Sequence, residues 1–237
     1  MRAHSSASTR GPEQVPIARS EETAARRWAQ LSTDVSCARV RRGRMIHALG
    51  ADAIAQAADA GRDFVILDLE RGRSSGAPDL LVADVEACLE QAQDRDLLTM
   101  VRVGRTGAPQ LLRPIVGRAD AVMVSDVSGP QDLPASSGQP FIAILERASL
   151  LDDIPGLVAS GTCAAFCFGP HDLAMDLGRG GVVGDPLVVA TIAEGIKLLV
   201  SLGQIVMVPE RPGFDLEGWR RAGVGIFVEP QPDVERR

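Results

Sequence analysis

The sequence predicts a (β/α)8 barrel, the TIM-barrel fold, and three observations carry that expectation. From Arg44 onward, eight apolar runs of strand length alternate with segments of helical pattern, the signature of βα units on a parallel sheet. The runs are almost continuously apolar, as strands buried on both faces are. The phosphate fingerprint of an open nucleotide-binding sheet is missing. RMIHALGADA holds one Gly after the first run, and no GxxxxGK[ST] occurs anywhere.

The elements follow in order. RMIHAL from Arg44 is the first strand, and ADAIAQAADAG after it has helical pattern. DFVILDLE from Asp63 is the second, followed by the helical LLVADVEACLEQAQDRD. LLTMVRV from Leu97 is the third, with APQLLRPIVGR as its helix. DAVMVSD from Asp120 and PFIAILE from Pro140 are the fourth and fifth. Only the turn-rich SGPQDLPASSGQ lies between them, so the barrel is shortened there. LLDDIPGLVASG leads to the sixth strand, CAAFCFG from Cys163. DPLVVATIAEGIKLLVSLG precedes QIVMVP from Gln204, and LEGWRRAG precedes VGIFVE from Val224. Several helical segments end in Gly, the common helix stop. EPQPDVERR at the end is polar and broken by Pro, so a final helix is lacking. Ahead of the strands, EETAARRWAQLS from Glu21 predicts a short helix packing through Trp28 and Leu31. The expected organisation is a flexible N-terminal tail with that helix over residues 1–40, then a single TIM-barrel domain over 41–237.

Composition narrows the function. Hydrophobic residues make up 45% of the chain but aromatics only 3%, so the core must be branched aliphatics. The net charge of −6 argues against nucleic-acid binding, which needs a basic surface. The first twenty residues have no apolar secretory core, and no apolar run is long enough for a bilayer. These features predict a soluble cytoplasmic protein without nucleic-acid or membrane partners. Of the four cysteines, Cys163 and Cys167 stand at i and i+4 in an apparent strand, which predicts one shared face. Their Ala and Phe surroundings suit buried free thiols rather than a metal site.

In a barrel, the polar residues at the C-terminal ends of strands carry the chemistry. Here they are Asp68, Glu70 and Arg71 after the second strand, Arg102 in the third, and Ser125 and Asp126 after the fourth. Glu146 ends the fifth, His171 and Asp172 follow the sixth, and Glu210 follows the seventh. Glu146 and Asp172 would converge on one mouth as hard oxygen ligands for Mg²⁺ or Mn²⁺, with Co²⁺ as a further candidate. A second explanation stays open: Glu146 pairs with Arg147 or Arg113, and Asp172 caps a helix starting near Leu173. Arg102 inside an apolar strand needs an anionic partner or a cavity, with Asp68 or Glu70 as the structural candidates. His47 and His171 are candidates for proton transfer or for plain structural roles. Lys197, the single Lys, lies in an amphipathic segment that would face outward, which disfavours Schiff-base chemistry.

DFVILDLERG, MVRVG, AVMVSDV, the Glu146 strand and FGPHDLAMDLGRGGVVGDPLVVATIAEGIKLLVSLGQIVMV together resemble the HpcH/HpaI aldolase/citrate lyase family, from about Arg44 to Val228. The resemblance implies a metal-dependent, class II pyruvate aldolase-like enzyme on a TIM barrel. It implies Glu146 and Asp172 as metal ligands. Arg102 would contact the keto or enolate oxygen, and Asp68, Glu70 and Arg71 would occupy the catalytic DxEH positions. Gly169, Pro170, His171 and Asp172 would form the turn that binds the substrate carboxylate. The expected substrate is a small 2-oxo acid, pyruvate or oxaloacetate, and family members are commonly homo-oligomers. The chain departs from the pattern at Arg71, where the family has a histidine; Arg cannot act as a base at neutral pH. Two other functions remain: a CoA-thioester lyase of the citrate-lyase branch, and a noncatalytic barrel serving as a binding subunit.

Overall fold

The structure is a computed structural model that describes residues 21–47, 51–70, 82–104, 118–133 and 139–230. Arg71, Arg113 and most of the predicted helix APQLLRPIVGR lie outside the described residues, as do residues 1–20 and 231–237.

Eight parallel strands close into a barrel in sequence order. They are β1 (Arg41–Ile46), β2 (Phe64–Asp68), β3 (Leu98–Gly104) and β4 (Ala121–Ser125), then β5 (Phe141–Leu145), β6 (Ala165–Phe168), β7 (Val206–Pro209) and β8 (Ile226–Glu229). The helices are α1 (Glu21–Ser36), α2 (Ala51–Asp59), α3 (Val82–Asp94), α4 (Ala148–Asp152), α5 (Ile154–Ala159), α6 (Pro170–Asp176), α7 (Pro186–Ser201) and α8 (Leu216–Arg221). Among the described residues, a single 3-10 turn, Pro130–Asp132, stands between β4 and β5, and no helix follows β8.

Period-two alternation splits the core in two. Residues such as Phe64, Ile66, Met100, Met123, Ile144 and Cys167 point inward and fill the barrel. Their strand neighbours, such as Val65, Val101, Val124 and Phe168, point outward and pack under the helices. An inward shell of side chains is what makes such a barrel a packed solid rather than a pore. Cys163 precedes β6, so alternation does not carry it to the face of Cys167. Cys163 packs against the outer shell and Cys167 lies in the inner one. Burial pushes both thiols up, to about 11 and about 12.

The bottom of the barrel is closed by α1. Trp28 and Leu31 join the inner core. Arg41 pairs with Asp34 of α1 and with Asp63. Arg27 reaches the fully buried Asp120 at 3.4 Å. The helix runs four residues beyond the predicted segment, to Ser36.

β1 begins at Arg41, three residues earlier than its apolar run suggests. Gly43 and Met45 face inward, so Arg42 and Arg44 face outward across the β8–β1 seam. They meet acids there: Arg42 lies 3.7 Å from Glu210, and Arg44 and Arg62 lie 3.3 Å and 2.5 Å from Glu229. Ion pairs therefore satisfy the outward side chains at this seam in place of apolar packing.

Gly43 is the tight point of the inner shell. A Cβ there would overlap the ring of Phe64, which is completely buried. Gly43→Ala should therefore destabilise the fold by about 1–3 kcal/mol through overpacking, measured as a lowered urea midpoint. An unchanged midpoint would show that the ring can move aside.

Candidate active site

The same alternation builds the site. Two residues above the inward Met45, Ile66, Met100, Met123, Ile144 and Cys167 come His47, Asp68, Arg102, Ser125, Glu146 and Gly169. Each is thus the next inward position on its strand, at the C-terminal mouth where catalytic groups of such barrels collect. Five of these six positions are polar, above inward residues that are apolar.

Arg102 is the electrostatic centre. It stands beside Asp68 in the β2–β3 register, with Nη1 donating to Asp68 Oδ2 at 3.3 Å and Nη2 paired with Glu70. Burial lowers its pKa, but Asp68, Glu70, Glu146 and Asp172 raise it by more, and the net is above the ordinary value. The guanidinium therefore stays charged. Asp68, wholly buried, also meets His47 Nδ1 at 2.7 Å.

Glu146 sits just past β5. Its Oε1 accepts the backbone N–H of Asp126, which adopts a left-handed turn (φ 58°). Its Oε2 is buried without a hydrogen-bond partner. Burial pushes the Glu146 carboxyl up to about 7; Asp172 and Glu70 add to the rise, while the Asp126 N–H and Arg102 oppose it. Gly169 presses against the same carboxylate: a Cβ at Gly169 would lie 3.0 Å from Glu146 Oε2.

Among the described residues the structural explanations for this acidic pair do not hold; a pairing of Glu146 with Arg113 lies outside them. Arg147 pairs with Asp126, not with Glu146. α6 begins at Pro170 behind Gly169, so Asp172 lies inside its first turn and does not cap it. Glu146 and Asp172 instead share a cavity of about 470 Å³ with Glu70, Asp126 and Asp176. A buried oxygen with no partner beside a second carboxylate fits a hard divalent cation, which takes oxygen ligands and keeps several waters. Among the described residues, no group of three or more His, Cys, Asp or Glu side chains is arranged to hold a metal. A cation here would have two protein carboxylates, with water or substrate completing its shell.

An adjoining cavity of about 340 Å³ shares Glu70 and Asp172 and also takes in His47, Arg102, Gly169, Pro170, His171 and Arg211. Its floor is Met45, Met123, Ile144 and Val228. The volume is at the small end for ligand pockets, suited to a compact acid. Of the residues expected at the site, Asp68, Glu70, Arg102, Glu146, Gly169, Pro170, His171 and Asp172 gather here, and Arg71 lies outside the described residues. Glu210 does not join them, being turned to Arg42. His171 is exposed on the first turn of α6. Lys197 pairs with Glu194 on the outer face of α7, away from the mouth. Arg211 was not expected. An Arg two residues past the end of β7 was the available signal, since that is where a barrel exposes its functional side chains.

No family model matches the chain, and no curated protein matches it in sequence. Solved structures do. The citrate synthase SbnG superimposes with a TM-score of 0.74 at 15% identity, over 85% of this chain and 90% of that one. An HpcH/HpaI aldolase from Desulfitobacterium hafniense DCB-2 gives 0.68 at 18% identity, over 85% and 90%. The citrate lyase beta subunit from M. tuberculosis, complexed with oxaloacetate and magnesium, gives 0.59 at 20% identity, over 86% and 94%. At these identities the likeness establishes a shared fold.

In the metal-free protein, Glu146 titrates at about 7 when folded, against 4.5 ordinarily. The folded state therefore holds an extra proton between those values. Its contribution to stability is complete below pH 4.5 and is lost as the pH rises through about 7. Glu146→Gln removes this dependence. With EDTA present, the variant should gain on the wild type by about 3 kcal/mol between pH 4.5 and pH 8, measured by urea unfolding at the two values. Parallel pH dependence of the two proteins would refute the buried, partnerless state of Glu146.

Proposed function

We propose that this chain is a divergent member of the HpcH/HpaI aldolase/citrate lyase family, acting as a divalent-metal-dependent carbon–carbon lyase or aldolase on a 2-oxo acid of the pyruvate or oxaloacetate type. The observation that carries this is the buried, partnerless Oε2 of Glu146 beside Asp172, in a cavity that shares Glu70 and Asp172 with the adjoining cavity of Arg102. The oxaloacetate and magnesium of the mycobacterial structural neighbour are ligands of the same chemical class.

Glu146 and Asp172 would hold the cation, which supplies positive charge to stabilise the enolate that forms when the bond next to the keto carbon breaks. Arg102 offers fixed positive charge to the same developing oxygen. Its two ion pairs, with Asp68 and Glu70, hold it in place beforehand, so little reorganisation is needed during reaction. Gly169 keeps β6 close to Glu146, and the amides after Pro170 are suited to receive the substrate carboxylate. Met45, Met123 and Ile144 exclude water beneath the reacting carbons. With Arg71 in place of a family histidine, decarboxylation of oxaloacetate is the reaction that asks least of a base. The small cavity favours a three- or four-carbon acid over a bulky thioester.

The test is calorimetric titration with Mg²⁺ and Mn²⁺, followed by metal-dependent decarboxylation of oxaloacetate. The wild type should bind either metal, and Glu146→Ala and Asp172→Ala should each lose that binding and the activity with it. A wild-type protein that binds neither metal nor oxalate, as a pyruvate enolate analogue, would instead support a noncatalytic barrel.

A further inference from the structure

We infer that His47, held by Asp68, is the acid/base residue that moves the proton at the substrate carbon, an inference that rests on the enolate chemistry proposed above. His47 follows β1 directly and lines the 340 Å³ cavity together with Glu70, Arg102 and Asp172. Its Nδ1 lies 2.7 Å from Asp68 Oδ2, and Asp68 is completely buried. A buried carboxylate on Nδ1 selects the tautomer with its proton there, orients the ring, and stabilises the cation that forms when Nε2 takes up a proton.

The other polar groups of the mouth are committed elsewhere or unsuited. Arg102 is a permanent cation with no base function. Glu70 is paired with Arg102. Glu146 and Asp172 are the proposed metal ligands. His171 is exposed on α6, and among the described residues no carboxylate pairs with its ring. Lys197 is outside the barrel. Cys167, wholly buried in the inner shell, has its thiol pushed up to about 12 by burial and stays protonated.

In the step assigned to His47, Nε2 accepts a proton from the carbon next to the keto group. The C–H electron pair becomes the new carbon–carbon π bond, and the carbonyl π pair moves to the oxygen beside Arg102. The reverse step returns a proton from the imidazolium to carbon, so nothing is oxidised or reduced and no other reactant is needed. The same residue would protonate the enolate left by decarboxylation.

The experiment is exchange of pyruvate methyl hydrogens with deuterium oxide in the presence of Mg²⁺ or Mn²⁺, followed by proton NMR. The proteins are the wild type, His47→Gln and His47→Ala. His47→Gln should lower the maximal exchange rate at least about 100-fold, with KM for pyruvate and metal affinity within about threefold of the wild type. Added imidazole should restore part of the rate in His47→Ala, a rescue that a merely structural residue would not give. Exchange by His47→Gln near the wild-type rate overturns the assignment and leaves the enolate chemistry standing. Absence of exchange in the wild type overturns both together. Loss of exchange with loss of metal binding in His47→Gln, and no imidazole rescue in His47→Ala, places His47 in the structure of the site and not in its proton transfer.

Discussion

The buried guanidinium of Arg102 is the interaction on which the mouth of this barrel depends. Asp68, Glu70, Glu146 and Asp172 all interact with it. Asp68 and Glu146 are buried, Glu70 is half-buried and Asp172 is exposed, and the two buried carboxylates cannot both stay ionised without a compensating cation. Arg102 provides it from the middle of the group, paired to Asp68 directly across the β2–β3 register. One acid on each terminal nitrogen fixes the plane of the guanidinium and leaves further N–H donors over. Even so, one fixed cation does not neutralise the whole group. Burial and the neighbouring acids still hold Glu146 well above the ordinary carboxylate range. The remaining deficit of positive charge is what makes a divalent cation fit.

The fold was largely legible because alternation is a strong constraint once a barrel closes. A run such as PFIAILE places Ile142, Ile144 and Glu146 on one face, and closure turns that face inward. The same counting puts Asp68 above Ile66 and Arg102 above Met100. Strand-end carboxylates could therefore be assigned to one mouth from spacing alone. β1 was legible only in part, because its outward residues are Arg42 and Arg44 rather than apolar ones. Their acidic partners, Glu210 and Glu229, come from the far end of the chain. No local pattern announces a strand whose outer face is satisfied by ion pairs made more than 160 residues away.

The site was less legible, and for a different reason. Side-chain partners are set by three-dimensional choices that spacing leaves open. Glu146 next to Arg147 looks like an ion pair in sequence, but the left-handed turn at Asp126 gives Arg147 another acid and gives Glu146 a backbone N–H. Asp172 looks like a helix cap because it precedes the apolar Leu173, Ala174 and Met175, but the helix starts two residues earlier, at Pro170, whose fixed φ suits a first turn. The role of His47 depends on which acid it meets, and Asp68 lies 21 residues further along the chain. Arg211 becomes visible as a mouth residue only when β7 takes its place beside β6 and β8.

The two sides of the mouth differ in chemistry. Glu146 and Asp172, just past β5 and on α6, gather negative charge and suit a cation. His47 and Arg211, after β1 and β7, sit over an apolar floor of Met45 and Val228 and suit substrate. Arg102 and Asp68 lie between, and Asp68 contacts both Arg102 and His47. Asp68 therefore couples the two sides. It is fully buried and holds both the guanidinium of Arg102 and the imidazole of His47, so it fixes the two groups relative to one another. A shared buried carboxylate of this kind makes the network interdependent, because removing it would leave both partners without their acid at once.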